Sequence, residues 1–168
     1  MKKKKVIIPL IIIVVLLFIG FIVWMVTPQT FHSSGWGLYK ENEEYDDYYS
    51  YGDRIAFWDT IEYVKGTKDY CVETKYDIMQ GEIHLVVFDV TDTDMTKYEE
   101  LVPEEMCKVA SRDYGEGAGT DILELPNLQE GRQYIYTVFI DEDSLFHAKY
   151  RLTWKGKRWQ KNKYENNY

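Results

Sequence analysis

The side chains with the most obvious chemical potential in this chain are acidic. Asp89, Asp92 and Asp94 fall within six positions of one another, and Glu99 and Glu100 follow closely. Hard cations such as Ca2+ are held by several carboxylate oxygens converging from one loop. The three aspartates are therefore the candidate metal ligands, with Ca2+ as the ion they would suit. Their spacing is not that of an EF-hand. Counted from Asp89, the twelfth residue is Glu100, but the sixth is Asp94 where a tight-turning Gly is required. A solvated acidic loop is the plainer account of the same residues.

The other reactive types are more scattered. His32, His84 and His147 show neither H-x-H nor H-E-x-x-H spacing. Gly115, Gly117 and Gly119 alternate, but no Lys-Ser/Thr follows to hold a phosphate. No G-x-S-x-G nucleophile elbow occurs, and no Cys–His arrangement is recognisable. The expectation is no catalytic residue, no cofactor-binding residue and no enzyme activity. Cys71 and Cys107 are the two cysteines. Outside the cytoplasm they can pair, and closing a loop of 37 residues would add roughly 4 kcal/mol in the chain-entropy picture. Two free, buried thiols fit the count equally well. Trp36, Trp154 and Trp159 stand beside turns or termini. They are candidate ligand-contact aromatics, since flat rings suit sugars and protein hot spots; they can equally plug the ends of a core.

Whatever positions these residues begins with an unusual N-terminus. Lys2 to Lys5 precede an uncharged run from Val6 to Val26, interrupted only by Pro9 and Gly20. Twenty-one residues of helix span roughly 30 Å, the thickness of a bilayer's hydrocarbon. The run is too long for a cleavable signal, and Met25-Val26-Thr27-Pro28 has no small-residue cleavage site. A single-pass, uncleaved signal anchor at the cell membrane is expected, in contact with lipid through residues 6–26. The lysine cluster keeps the N-terminus cytoplasmic and puts the rest outside.

Beyond residue 27 the chain carries sixteen basic residues against twenty-eight acidic, a formal charge of −12. That excludes nucleic-acid binding as a leading function, because phosphate backbones are neutralised by Lys and Arg. Residues 28–50 read as an acidic, Tyr-rich stalk, 51–160 as one extracytoplasmic domain and 161–168 as a frayed tail. Within the domain, Arg54–Val64, Tyr70–Met79, Glu82–Val90, Asp121–Leu125, Gln133–Ile140 and Leu145–Trp154 read as strands. Val72, Thr74, Tyr76 and Ile78 share one face, and Cys71, Glu73 and Lys75 the other. Gln80-Gly81 and Asp141–Ser144 read as hairpin turns, and residues 114–119 as a flexible loop. Lys155-Gly156-Lys157 reads as a turn before a short last strand. The fold class is mainly β, with one N-terminal transmembrane helix and an antiparallel β-sandwich of about seven strands.

One stretch supports that class more specifically. In Leu128-Gln129-Glu130-Gly131-Arg132-Gln133-Tyr134, followed by Tyr136 and Val138, the spacing of Leu128, Gly131 and Tyr134 resembles the strand E to strand F corner of fibronectin type III and other immunoglobulin-like sandwiches. The resemblance implies a tyrosine corner, with the phenol bonded back to the turn and the ring in the core. It covers about 20 of the 168 residues and is silent on function. The Lys-rich start, one helix and one sandwich resemble small membrane-anchored bacterial surface proteins of unknown role. The function expected is that of a non-catalytic protein-interaction module of the cell envelope, its partner an envelope protein. A module binding cell-wall polymer or Ca2+ is the alternative, and an envelope enzyme a third.

Overall fold

The structure is a computed structural model that describes residues 4–33, 35–40, 49–51, 54–95, 106–141 and 143–163. One helix, α1 (Lys4–Val26), precedes ten strands: β1 (Pro28–His32), β2 (Trp36–Lys40), β3 (Tyr49–Tyr51), β4 (Arg54–Glu62), β5 (Lys68–Gln80), β6 (Ile83–Asp89), β7 (Cys107–Tyr114), β8 (Gly117–Leu125), β9 (Gln133–Asp141) and β10 (Leu145–Lys157). A 3-10 helix, Arg158–Lys163, follows. The strands form two antiparallel sheets. In sheet 1, β10 pairs with β5 and β5 with β8, while β1 and β2 lie end to end along the far side of β10. Sheet 2 runs β3-β4-β9-β6-β7.

The core fills the space between the sheets. Alternation supplies it: Val72, Thr74 and Ile78 from β5, Ile83, Leu85 and Val87 from β6, and Phe146, Ala148, Tyr150 and Leu152 from β10 are all buried. Trp154 is its largest fully buried side chain, with Phe31 at 5.9 Å and Tyr70 stacked at 6.2 Å between ring centroids. The face of β5 that carries Val72, Thr74, Tyr76 and Ile78 is the inward one.

Several expectations are corrected. Among the described residues no helix is long and apolar enough to cross a membrane. This overturns the single-pass anchor over 6–26, the cell-membrane location and the inside-to-outside orientation built on it. What the structure shows is an apolar helix exposed along Ile11 to Trp24. Its C-terminal end is fastened to the sandwich by the Arg158 guanidinium, 3.6 Å from the Trp24 ring centroid, with Arg158 Nε also donating to Gln29 Oε1 at 3.1 Å.

The stalk boundary also moves. Residues 28–32 and 36–40 are strands of sheet 1, and Phe31 and Leu38 belong to the core. The acidic stretch 41–48 and the tail residues 164–168 lie outside the described residues. Neither expected hairpin forms. β5 and β6 lie in opposite sheets, as do β9 and β10. Each short turn is an arch between layers, and the two arches stack, with Leu145 opposite Gln80 in sheet 1 and Ile83 opposite Ile140 in sheet 2. Gly81, at φ 81°, makes this stacking feasible: a Cβ there would lie 2.3 Å from Ser144 Oγ. Ser144 Oγ donates across to the Glu82 carbonyl at 3.2 Å. Residues 117–119, expected in a loop, open β8, and Gly119 lies under the Tyr76 ring, where a Cβ would come within 2.7 Å of the phenol oxygen. β10 continues through the expected turn at 155–157, because β1 pairs with it there and Gln160 caps its end by accepting from Lys157 N–H.

The tyrosine corner is present as geometry. Tyr134 is buried, its hydroxyl accepts from Gln129 N–H at 2.9 Å, Gly131 has φ 83°, and Leu128 packs on the core. The strand order differs from an immunoglobulin-like domain, in which the corner strand and the next share a sheet; here β9 and β10 do not.

Candidate functional site

Two of the three expected cation ligands, Asp89 and Asp92, are engaged by Arg132. Asp89, at the end of β6, forms an ion pair with Arg132 and accepts from Thr91 N–H at 3.1 Å and Thr91 Oγ1 at 2.7 Å. Arg132 also reaches Asp92 at 3.8 Å. Burial by itself raises the Asp89 carboxyl, but the hydrogen bonds from Arg132 and Thr91 outweigh it and hold the group below the ordinary carboxylate range. The cluster ties the loop after β6 to the turn before β9, with an arginine where the ion was expected. No group of three metal-ligating side chains occurs among the described residues.

The other candidates are dispersed. Cys71 lies in β5 of sheet 1 and Cys107 in β7 at the edge of sheet 2; of the two alternatives, a disulfide or two free thiols, the structure has free thiols. Cys71 Sγ is 2.8 Å from Thr153 Oγ1. Burial pushes its thiol up and the Thr153 contact opposes that only in part, which makes it a poor nucleophile. His84, on sheet 2, contacts Asp113 Oδ1 at 3.0 Å, whereas His32 and His147 lie on sheet 1. Trp154 is in the core and Trp159 is exposed. Trp36 is on β2, and its side chain lies outside the described residues. The three tryptophans therefore do not form a shared aromatic platform.

The two outer faces of the sandwich differ sharply. On sheet 2, Phe88, Val90, Ile135 and Phe139 form a second apolar cluster, with Met95 and Met106 packed on it. On sheet 1 the outward positions of β5, β8 and β10 carry six basic side chains (Lys68, Lys75, Lys149, Arg151, Lys155, Lys157) and four carboxylates (Asp69, Glu73, Asp77, Glu124). The surface is net positive in a chain of formal charge −8.

Register sorts these charges into cross-strand rows, which is where sheet side chains interact. Arg151 faces Glu73 and donates to it from Nε at 3.0 Å. Lys155 reaches Asp69 at 3.1 Å. His147 stands opposite Asp77. Two rows set lysine opposite lysine: Lys155 faces Lys68, where Asp69 pairs with Lys155, and Lys149 faces Lys75, with Gly37 beyond it on β2 and Thr120 beyond Lys75 on β8. Neither Lys75 nor Lys149 has an ion pair among the described residues. A hollow of about 540 Å³ lies on one side of the Lys75–Lys149 row, lined by Gly35, Thr120 and Arg151, and one of about 690 Å³ on the other, lined by Asp77 and His147. A third, of about 620 Å³, lies near the α1 end by Cys71 and Lys155.

Lys75 and Lys149 were absent from the candidates read in the sequence. Half of the signal was there, since alternation in β5 puts Cys71, Glu73 and Lys75 on one face. The other half needed β10 as the neighbour of β5, and the hairpin reading supplied β6 instead.

The fold and this face define the molecule as a two-sheet antiparallel β-sandwich with a single N-terminal helix and one open, charge-patterned sheet. No protein-family model matches the chain, and no curated protein matches it in sequence.

Proposed function

We propose that the chain is a non-catalytic protein-interaction module that docks its partner on the outer face of sheet 1. The carrying observation is the asymmetry of the sandwich: the outer face of sheet 2 carries its own apolar cluster over β6 and β9 and leaves Trp58 partly exposed, while that of sheet 1 is open, hollowed and net positive. Partners of a negative chain that approach this face meet complementary charge if they are acidic. Less supports the competing readings. Trp154, offered for glycan stacking, is enclosed by Phe31 and Tyr70, and Asp89, offered for Ca2+, is held by Arg132.

The test is site-directed photo-crosslinking in the source cell, with the reactive residue at Ile122 on sheet 1 or at Trp58 on sheet 2, both exposed. The expected result is a discrete adduct from position 122 to one protein, lost when Thr120→Arg blocks the face. Adducts from position 58 alone, or adducts from 122 that survive Thr120→Arg, overturn the reading.

A further inference from the structure

We infer that the Lys75–Lys149 row is the specificity element of this face and receives a carboxylate from an acidic segment of the protein partner. The inference rests on the docking reading above and adds the chemistry of the contact. Like charges directly opposite one another on a sheet are destabilising. Arg151 faces Glu73, and in the Lys155–Lys68 row Lys155 is paired with Asp69; the Lys75–Lys149 row has no such carboxylate among the described residues. The row is also kept accessible. Gly37 presents no side chain beside it, and a Cβ there would begin 3.6 Å from Lys149 Cγ. On the other side stands only the short Thr120.

The local charge selects the ligand. Lys75 and Lys149 bring two positive charges, Glu73 is engaged by Arg151, and Asp77 on the same strand adds one negative charge with no ion pair among the described residues. A single negative charge balances that set. A carboxylate supplies one, whereas a phosphate monoester brings about −1.5 to −2 at pH 7 and would be repelled by Asp77. Two ammonium groups on flexible stems also act as point charges and lack the fork geometry with which Arg holds phosphate. An acidic peptide can lay one carboxylate between the lysines and place flanking residues in the two hollows.

The experiment titrates the full-length chain, held in mild detergent because α1 is apolar and exposed, with a fluorescent oligoglutamate peptide. A phosphoserine peptide and an oligoglutamine peptide serve as comparisons. Oligoglutamate is expected to bind more tightly than either, and Lys75→Gln with Lys149→Gln to weaken it by about three- to tenfold, the range of two exposed ion pairs. Lys149→Glu keeps the fold, because it restores a complementary row, and is expected to abolish binding. Lys68→Gln with Lys157→Gln removes equal charge elsewhere on the face and is expected to leave affinity unchanged. Equal losses from the two double variants overturn the inference, leaving only a general positive field. Tighter binding of the phosphopeptide also overturns it. The Ile122 adduct separates the two levels. If it persists undiminished in the Lys75→Gln, Lys149→Gln chain, the face docks a partner without this row; if it is absent from the unaltered chain, the docking reading itself has failed.

Discussion

Sheets 1 and 2 face each other across one core, yet their outer faces have opposite characters. In sheet 2 the central strand β9 is buried along its whole length from Tyr134 to Ile140. Tyr134, Tyr136, Val138 and Ile140 point into the main core, and Ile135 and Phe139 point outward into the second cluster. In sheet 1 the central strand β10 alternates from Phe146 to Leu152, with Ala148, Tyr150 and Leu152 buried and His147, Lys149 and Arg151 exposed. The same architecture thus has a layer closed on both sides and a layer left open on one. Strands buried on both faces read as continuous apolar runs, and half-buried strands alternate; QYIYTVFI and LFHAKYRL show both kinds within twenty residues. The comparison assigns stability to sheet 2, and the proposed docking uses the outside of sheet 1.

The largest expected effect lies where the sheets meet. Trp154→Ala removes the largest fully buried side chain and should destabilise the fold by about 3–5 kcal/mol, read by urea or thermal unfolding. A loss under about 1 kcal/mol would show that Trp154 does not pack between the layers. The contrast between outer faces is tested next by an outward residue from each. Phe139→Ala should cost about 3 kcal/mol, because it opens the cluster around Phe88. Ile122→Ala, on an exposed position of sheet 1, should stay within about 0.5 kcal/mol. Equal costs at the two sites would erase the asymmetry.

The Asp89–Arg132 pair gives a smaller effect with a pH signature. The Asp89 carboxyl is held down in the fold, so its contribution is fully present above the unfolded value, about pH 3.9, and is lost as pH falls through the lower folded value. Asp89→Asn should cost about 1.5–3 kcal/mol at pH 7, the range for hydrogen bonds to a charged group, and distinctly less near pH 2. A loss independent of pH would mean that the carboxylate charge does not matter to the contact. Added Ca2+ should leave the melting temperature of the unaltered chain unchanged, since Arg132 already occupies the carboxylate.

Strand positions were largely legible, and strand partners were not. The alternation of Val72, Thr74, Tyr76 and Ile78 fixes which face of β5 points inward, whatever lies beside it. The turn at Gln80-Gly81 is equally good as a hairpin and as an arch, because both reverse the chain over two residues. What decides is the contact of Gly81 with Ser144, sixty-three positions away, and no local pattern encodes it. The lysine row was hidden for the same reason. The acidic cluster was found as residues and misread as chemistry, since its counter-ion, Arg132, comes from the turn before a different strand. Residues 28–40 were read as a stalk because their apolar side chains are few. Phe31 and Leu38 nevertheless suffice to pin two short edge strands onto β10.

The tyrosine corner sets the finest test of the contrast, because it stands at the start of β9, where sheet 2 becomes buried on both sides. Tyr134→Phe keeps the ring in the core and removes only the acceptor for Gln129 N–H. Gln129 is exposed at the turn, so water can satisfy the freed N–H, and the cost should fall near the low end of about 0.5–1.5 kcal/mol for a neutral hydrogen bond. For a chain of this size that is a drop of about 1–5 °C in melting temperature. Tyr134→Ala removes the buried ring as well and should cost several times more. The two substitutions divide the corner between its hydroxyl and its ring. If Tyr134→Phe costs as much as Tyr134→Ala, the turn depends on the hydrogen bond, and the register of β9 is set at its first residue. If Phe is nearly neutral, packing sets that register, which is the behaviour expected of a strand enclosed from both faces. Neither substitution should alter crosslinking from Ile122, because the corner belongs to sheet 2 and the proposed docking face to sheet 1.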